Sequence, residues 1–281
     1  LESELAEMDE CMPHYYRVTN RHGQGAETIM RAEALFCQGH VTDAHIELER
    51  AYAQVGGNGQ INMALCCDFL SWRLSLHTDV ERRYTFSERY AALLRYHDAS
   101  WINIWSATSA YYHALRGETD KIPEIFSQHR LSDIHLLAPG KPMMEMIENQ
   151  VYLAQGAYAK VVVRSAEQLA ACEAMHYALV ALHIRIQTAA AYARLGKPET
   201  AHTWLQKALS DAGPDGLVMP FAENYSLLKP LLARETRSAF TARITALGEA
   251  AQARGAERLR PAAFRALTAR EFEIVELIAR V

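Results

Sequence analysis

AAAYARLGKPETAHTWLQKAL, residues 189–209, is the stretch whose pattern decides the fold. Tyr192 lies four residues before Gly196 and Ala189 seven before it, while Ala201, Leu205 and Ala208 follow at helical spacing. Two amphipathic helices meeting at a glycine predict a helical hairpin. Glycine enters the left-handed backbone region that closes a helix C-terminus without the clash a Cβ would bring. Small residues let the paired helices approach closely, and larger apolar ones fill the groove between them.

Outward from this hairpin, turn signals recur at Gly39, Thr78, Gly117, Gly156 and Gly196, at intervals of 39, 39, 39 and 40 residues. A fixed period of this size marks stacked supersecondary units. The first unit repeats the pattern with Ala32 and Leu35 before the turn and Ala44, Leu48 and Ala51 after it. The middle units are looser. Ser71, Ala110 and Asn149 keep the small position, but Arg83 and His129 break the apolar ones. The unit resembles the tetratricopeptide repeat, whose usual period of about 34 residues leaves roughly five extra here, or about 7 Å of helix. The expectation is an all-α fold: a right-handed superhelical solenoid of tetratricopeptide-like helix pairs, about five units of roughly 39 residues. Its helices should be longer than usual and its inner wall concave. The chain then divides into an N-terminal helix (1–20) ending a preceding repeat, repeats over 21–212, capping helices and linker over 213–260, and a last segment over 261–281.

Bulk properties agree with helix and exclude several functions. The 281 residues are 50% hydrophobic and rich in Ala, Leu, Glu, Gln and Arg, which lose little rotamer freedom in a helix. A net charge of -4 argues against polyanion binding by the main body, although Leu231 to Val281 carries nine arginines against six glutamates. The five cysteines (Cys11, Cys37, Cys66, Cys67, Cys172) lack metal-ligand spacing and read as small core side chains in a reducing cytosol. No apolar run of about 18 residues exists, so no membrane partner is expected and the location is read as cytoplasmic. The chain opens at Leu1 in a helix-like stretch (Leu1, Leu5, Met8, Met12) and reads as a segment of a larger protein.

Reactive constellations are sparse. Pro139-Gly140-Lys141-Pro142 and Gly196-Lys197-Pro198 lack the upstream glycine and the hydroxyl of a phosphate-binding loop and read as turns. His176 and His183, seven apart, read as one face of a helix that lines core or groove. Cys66 and Cys67 beside His77 carry no nucleophile signature, and Glu145 and Glu148 read as solvated surface. No enzyme is expected, no metal site, and no cofactor in this segment.

Counting back from each turn selects an inner wall. Positions six before give Glu33, Trp72, Tyr111, Gln150 and Ala190; ten before, Asp68, Ala107, Met146 and Ile186; thirteen before, Leu65, Ile104, Met143 and His183. Asp68, Trp72, Tyr111, Met146, Gln150 and His183 form the candidate ligand-binding wall, with aromatic platforms beside hydrogen-bonding neighbours. For any one of these residues, packing between helices is the competing explanation.

The end of the chain adds Leu267-Thr268-Ala269-Arg270-Glu271-Phe272-Glu273. Thr268 and Glu271 form a capping box ahead of an apolar stripe. The run resembles the opening of the LuxR-type helix-turn-helix, with its Leu-Thr-x-Arg-Glu-x-Glu pattern, so Leu267, Thr268, Arg270, Glu271 and Glu273 mark that start. Val281 departs from it, standing where the family often has glycine. GLVMPFAENYSLLKPLL (216–232) is similar to the segment joining repeats to DNA-binding domain in large, ATP-binding, MalT-like transcriptional regulators. The resemblance covers roughly residues 30–281. It implies an effector- or inducer-sensing segment that controls DNA-dependent transcription, with ATP bound in an upstream domain and DNA read only through helices after this chain. The partner it implies is a small-molecule inducer or a regulatory protein or peptide; self-association stays open. The alternative is a tetratricopeptide-repeat scaffold holding a partner peptide or protein.

Overall fold

Helix ends in this chain are set by residues that tolerate positive φ. In the computed structural model, which describes residues 1–56, 60–80, 82–96, 99–134, 138–259 and Arg270, the turn glycines Gly39, Gly117, Gly156 and Gly196 have φ of +80°, +70°, +77° and +71°. Each closes a helix with paired bonds: Gly156 N donates to Leu153 O at 3.2 Å, and Ala157 N to Tyr152 O at 2.8 Å. Thr78, the remaining turn in the series, is extended instead (φ −134°, ψ 164°).

The described residues are all-helical, with no strand among them. Fourteen α-helices are described: α1 (Glu2–Val18), α2 (Ala26–Cys37), α3 (Val41–Gly56), α4 (Ile61–His77), α5 (Phe86–Leu93), α6 (Ala99–Leu115), α7 (Glu124–Ser127), α8 (Lys141–Ala154), α9 (Tyr158–Ala174), α10 (Ala178–Arg194), α11 (Pro198–Ala212), α12 (Met219–Glu223), α13 (Tyr225–Leu232) and α14 (Ala239–Leu259). The hairpins α2–α3, α8–α9 and α10–α11 pack as the 189–209 stretch predicts. Ala32, Ala44, Ala51, Ala189, Ala201 and Ala208 are fully buried where the paired helices meet. In α8 the small position is Asn149, and its amide donates to Gln168 Oε1 at 2.7 Å, so a polar pair across α8 and α9 replaces alanine packing.

In the units that turn at Thr78 and Gly117 the extra length does not lengthen the second helix. The partner of α4 is α5, of eight residues, and that of α6 is α7, of four. Thr85 and Glu88 cap the start of α5, while Pro123 starts α7 and His129, at φ +57°, ends it. The added residues lie between short helices. His129 sits where the pattern broke, and Arg83 just ahead of α5.

The helices α2, α4, α6, α8 and α10 contact one another in succession, and α12 touches both α10 and α2. This succession therefore closes on itself. One apolar core runs through the join, with Phe36 and Leu48 of the first hairpin in the same cluster as Val218, Phe221 and Leu228. A second lies under α6, α8, α9 and α10 around Tyr111, Phe126 and Ile147. The long helix α14 seals the join by packing on α12, α13 and α4.

Several sequence expectations are corrected. Cys37, Cys67 and Cys172 are buried, but Cys11 and Cys66 are exposed. Glu148 is buried rather than solvated, because Arg164 of α9 pairs with it and His129 approaches to 3.6 Å. His176 does not share a helix with His183: at φ +58° it closes α9 in the place other hairpins give to glycine. No described helix is long and apolar enough to cross a membrane. Leu267, Thr268, Glu271 and Glu273 lie outside the described residues, and of the motif only Arg270 is described, as a helical residue.

Candidate functional site

Inside the closed succession of helices the chain buries charge. Arg73 of α4 is 3% exposed. Its Nε donates to Glu223 Oε1 at 2.7 Å and its Nη2 to Glu223 Oε2 at 3.2 Å, a fork reaching α12. Nη1 donates to Glu33 Oε1 on α2. Tyr111 of α6 donates its hydroxyl hydrogen to Glu223 Oε2 at 3.3 Å. Four helices thus meet on one guanidinium, which also lies over the rings of Phe36 (4.6 Å), Phe69 (5.1 Å) and Tyr111 (5.9 Å).

Burial by itself would make Arg73 easier to deprotonate, but the Glu223 and Glu33 carboxylates more than reverse this and hold it charged. Burial raises the Glu223 carboxyl above its ordinary value, with Glu33 adding to the rise, while Arg73 and Tyr111 pull it down. Three donors on its two oxygens need acceptors at both, so Glu223 is the ionised partner.

Beside the guanidinium is a cavity of about 20 Å³, lined by Glu33, Phe69, Arg73, Tyr111, Met143, Met146, Leu179, Val180 and His183. It holds about one water-sized group, far below the several hundred Å³ of an ordinary small-molecule pocket. His183 is buried in its wall, edge-on to Tyr111, and its Nδ1 has no hydrogen-bond partner among the described residues.

No family model, curated protein or solved structure matches this chain.

Of the six wall residues, Tyr111, Met146 and His183 line the cavity. Gln150 is buried next to them and accepts from Gln187 Nε2 at 3.0 Å, joining α8 to α10. Asp68 and Trp72 face elsewhere. Asp68 accepts from Tyr52 of α3 at 2.8 Å and from Arg89 of α5. Trp72 stacks on Phe86 with centroids 3.4 Å apart, under the Arg82 guanidinium.

The cause is a one-residue register error at Thr78. The helices α2, α6, α8 and α10 end two residues before their turn glycines, but α4 runs to His77, immediately before Thr78. The position equivalent to the glycines is therefore Asp79. Counting six and ten back from it gives Arg73 and Phe69, the two α4 residues that line the cavity. A charged residue inside the apolar run FLSWRLSLH was the available signal, since a buried guanidinium requires partners. Glu223 sat inside VMPFAENYSLL in the same manner.

Two buried histidines give the site a pH signature. Burial, with the Arg73 charge adding to it, lowers both His77 and His183 to about 3, well below the ordinary 6.5. Above 6.5 both are neutral folded or unfolded. Below it the unfolded chain takes up protons that the folded chain refuses, so stability present above 6.5 is lost as the pH falls toward 3. Each histidine contributes at most about 1.4 kcal/mol per pH unit in that window. Urea titrations at pH 7.5, 6 and 5 are expected to show a falling midpoint with a shallower fall in His183→Phe; an unchanged midpoint from 7.5 to 5 contradicts this.

Proposed function

We propose that this chain is the effector-sensing segment of a LuxR-type, MalT-like transcriptional regulator, built as a tetratricopeptide-like solenoid whose inner face reads the signal. The family assignment rests on the Leu267–Glu273 motif and the 216–232 segment. The observation that carries the sensing role is the Arg73–Glu33–Glu223 group at the closure of the inner helices. Buried ionic groups are poor sources of net stability, because their desolvation cost offsets most of their attraction, and their best-attested use is to fix a register or a switch state. Here the group ties α2, α4 and α12, elements distant in sequence, at the one place where the helix succession closes. A ligand that competes for any of the three side chains loosens that closure.

The scaffold alternative is less favoured. A peptide-binding groove needs an open inner wall, whereas this one is filled by Arg73, Phe69 and Tyr111. A thermal-shift screen against sugars, amines, carboxylates, aromatic metabolites and short peptides tests the proposal. A saturable small-molecule hit that also speeds amide exchange in α2 and α12 is the expected result. Binding of peptides alone moves the chain to the scaffold class, and no small-molecule hit overturns the sensing role.

A further inference from the structure

We infer that the surface between the segment ahead of α5 and the end of α6 binds a doubly charged phosphate group, free or as a monoester, through Arg82, Arg116 and Tyr112. This does not rest on the sensing role, and the site is apart from the Arg73 group.

A shortage of acceptors points to an anion. Tyr112 of α6 is 5% exposed, and its hydroxyl oxygen accepts from Arg82 Nη1 at 3.0 Å and from Arg116 Nη1 at 3.4 Å. With the oxygen so engaged, the hydroxyl hydrogen has no acceptor among the described residues. Arg82 makes no ion pair among them, and Arg116 Nε is buried without a partner. Glu118 is the one described carboxylate bonded to the group, and it is fully committed. Arg116 Nη2 donates to its Oε1 at 2.7 Å, Lys121 Nζ lies 3.3 Å from the same oxygen, and His113 Nδ1 is 2.8 Å from Oε2. Other acids are turned elsewhere: Asp79 pairs with Arg254, and Glu49 with Arg83. The last carbonyls of α6 are taken as well, since His113 O accepts from Glu118 N and Ala114 O from Gly117 N.

Charge and preorganisation fix the class. Arg82, Arg116 and Lys121 against Glu118 leave two positive charges in excess, which matches the charge of about −1.5 to −2 on a phosphate monoester at neutral pH. Two guanidiniums drawn to one oxygen repel each other, and an anion beside them relieves that repulsion. Guanidinium forks together with a hydroxyl donor suit a tetrahedral oxyanion approached from more than one side. Arg82 is already positioned, because its guanidinium lies over the Trp72 ring at 4.1 Å, so little side-chain freedom remains to be lost on binding. Arg82 and Lys121 are exposed, which leaves the group open to a ligand from solvent.

The test is calorimetric titration of the whole chain at fixed ionic strength with phenyl phosphate and inorganic phosphate, and with benzoate and dimethyl phosphate as singly charged controls. Phenyl phosphate is expected to bind with a dissociation constant of about 1 mM or tighter, the scale set by two or three charge-assisted bonds. Both controls should bind at least tenfold more weakly. Arg82→Gln should weaken phenyl phosphate binding by about tenfold or more, and Tyr112→Phe should weaken it too, since each removes a donor. Glu118→Gln should tighten binding, because it removes the competing carboxylate; damage to the fold cannot produce that sign. Arg83→Gln, whose guanidinium faces Glu49, should leave binding unchanged. Helical circular dichroism verifies folding in every variant. Equal affinity for inorganic and phenyl phosphate assigns the site to the free anion, and preference for the ester assigns it to a phosphorylated small molecule; either supports the inference. No phosphate binding overturns it, as does dimethyl phosphate binding as tightly as phenyl phosphate. Binding that survives both Arg82→Gln and Tyr112→Phe overturns the location. Weaker binding in folded Glu118→Gln overturns the electrostatic basis.

Discussion

Arg73→Met is expected to destabilise the protein by about 3–5 kcal/mol, because it leaves Glu33 and Glu223 facing each other without a counter-charge. For a chain of this size that lowers the melting midpoint by roughly 5–8 °C. The loss is not mainly one of packing, since methionine keeps most of the apolar stem against Phe36, Phe69 and Tyr111. The penalty comes from the carboxylate of Glu223, whose side chain has no accessible surface. It must either stay ionised without partners or take a proton at neutral pH.

The same reasoning predicts strong non-additivity. Glu223→Met alone is expected to be costly for the converse reason, since Arg73 keeps only the half-exposed Glu33. The double variant Arg73→Met/Glu223→Met should recover much of the loss, because neutral apolar side chains of similar volume carry no desolvation cost. Chemical denaturation of the two single variants and the double completes the cycle. If the double costs the sum of the singles, the two side chains are not coupled and the closure described for α4 and α12 has no energetic content. The amide-exchange readout connects stability to function. In Arg73→Met, α2 and α12 should open more often than α8 and α9, which supply no member of the triad.

The hairpins were the legible part of this fold. Gly196, Ala189 and Ala201 state their roles locally, since a left-handed turn and a close helix contact each need a specific small residue. The short α5 and α7 were partly legible, through the breaks at Arg83 and His129, but the sequence pattern alone does not tell a long helix from two short ones with a loop. On α6, α8 and α10, where glycine fixes the helix end, the counted positions Tyr111, Met146 and His183 fall on the cavity lining. The count slipped by one residue on α4, where Thr78 does not mark the same backbone position. On a helix one residue turns the side chain by about 100°, enough to exchange Arg73 and Phe69 for Trp72 and Asp68. The join of α12 to α4 and, through Arg73, to α2 had no local signal. It depends on partners 150 residues apart, Arg73 and Glu223, and only their charge inside apolar runs hinted at it.

Gly248→Ala is the second large effect, and it has an internal control in the same helix. A Cβ at Gly248 would lie 2.5 Å from Tyr225 Cβ and 2.7 Å from Tyr225 Cδ2, separations that real Cβ atoms do not adopt. Tyr225 Cβ is fixed by the backbone, so a rotamer change that swings the ring away cannot clear it. Instead α14 must move away from α13 and α12. Overpacking of this kind costs about 1–3 kcal/mol or more, against the ~1 kcal/mol that alanine returns in helix propensity. Gly255, on the same helix, has nothing within 4 Å of its Cβ position. Gly255→Ala is therefore expected to stabilise by about 0.5–1 kcal/mol, and the opposite signs of the two substitutions separate steric exclusion from helix propensity. Tyr225→Gly, which removes both that Cβ and the ring, should make Gly248→Ala nearly harmless, although the tyrosine's own loss is costly because its ring is buried and its hydroxyl donates to Glu249 at 3.2 Å. Displacing α14 also withdraws support from α12, which carries Glu223. Gly248→Ala should then speed amide exchange in α12 as Arg73→Met does, from the far side of the same closure. If Gly248→Ala proves as stabilising as Gly255→Ala, α14 does not hold α12 in place, and the closure depends on the charged triad alone.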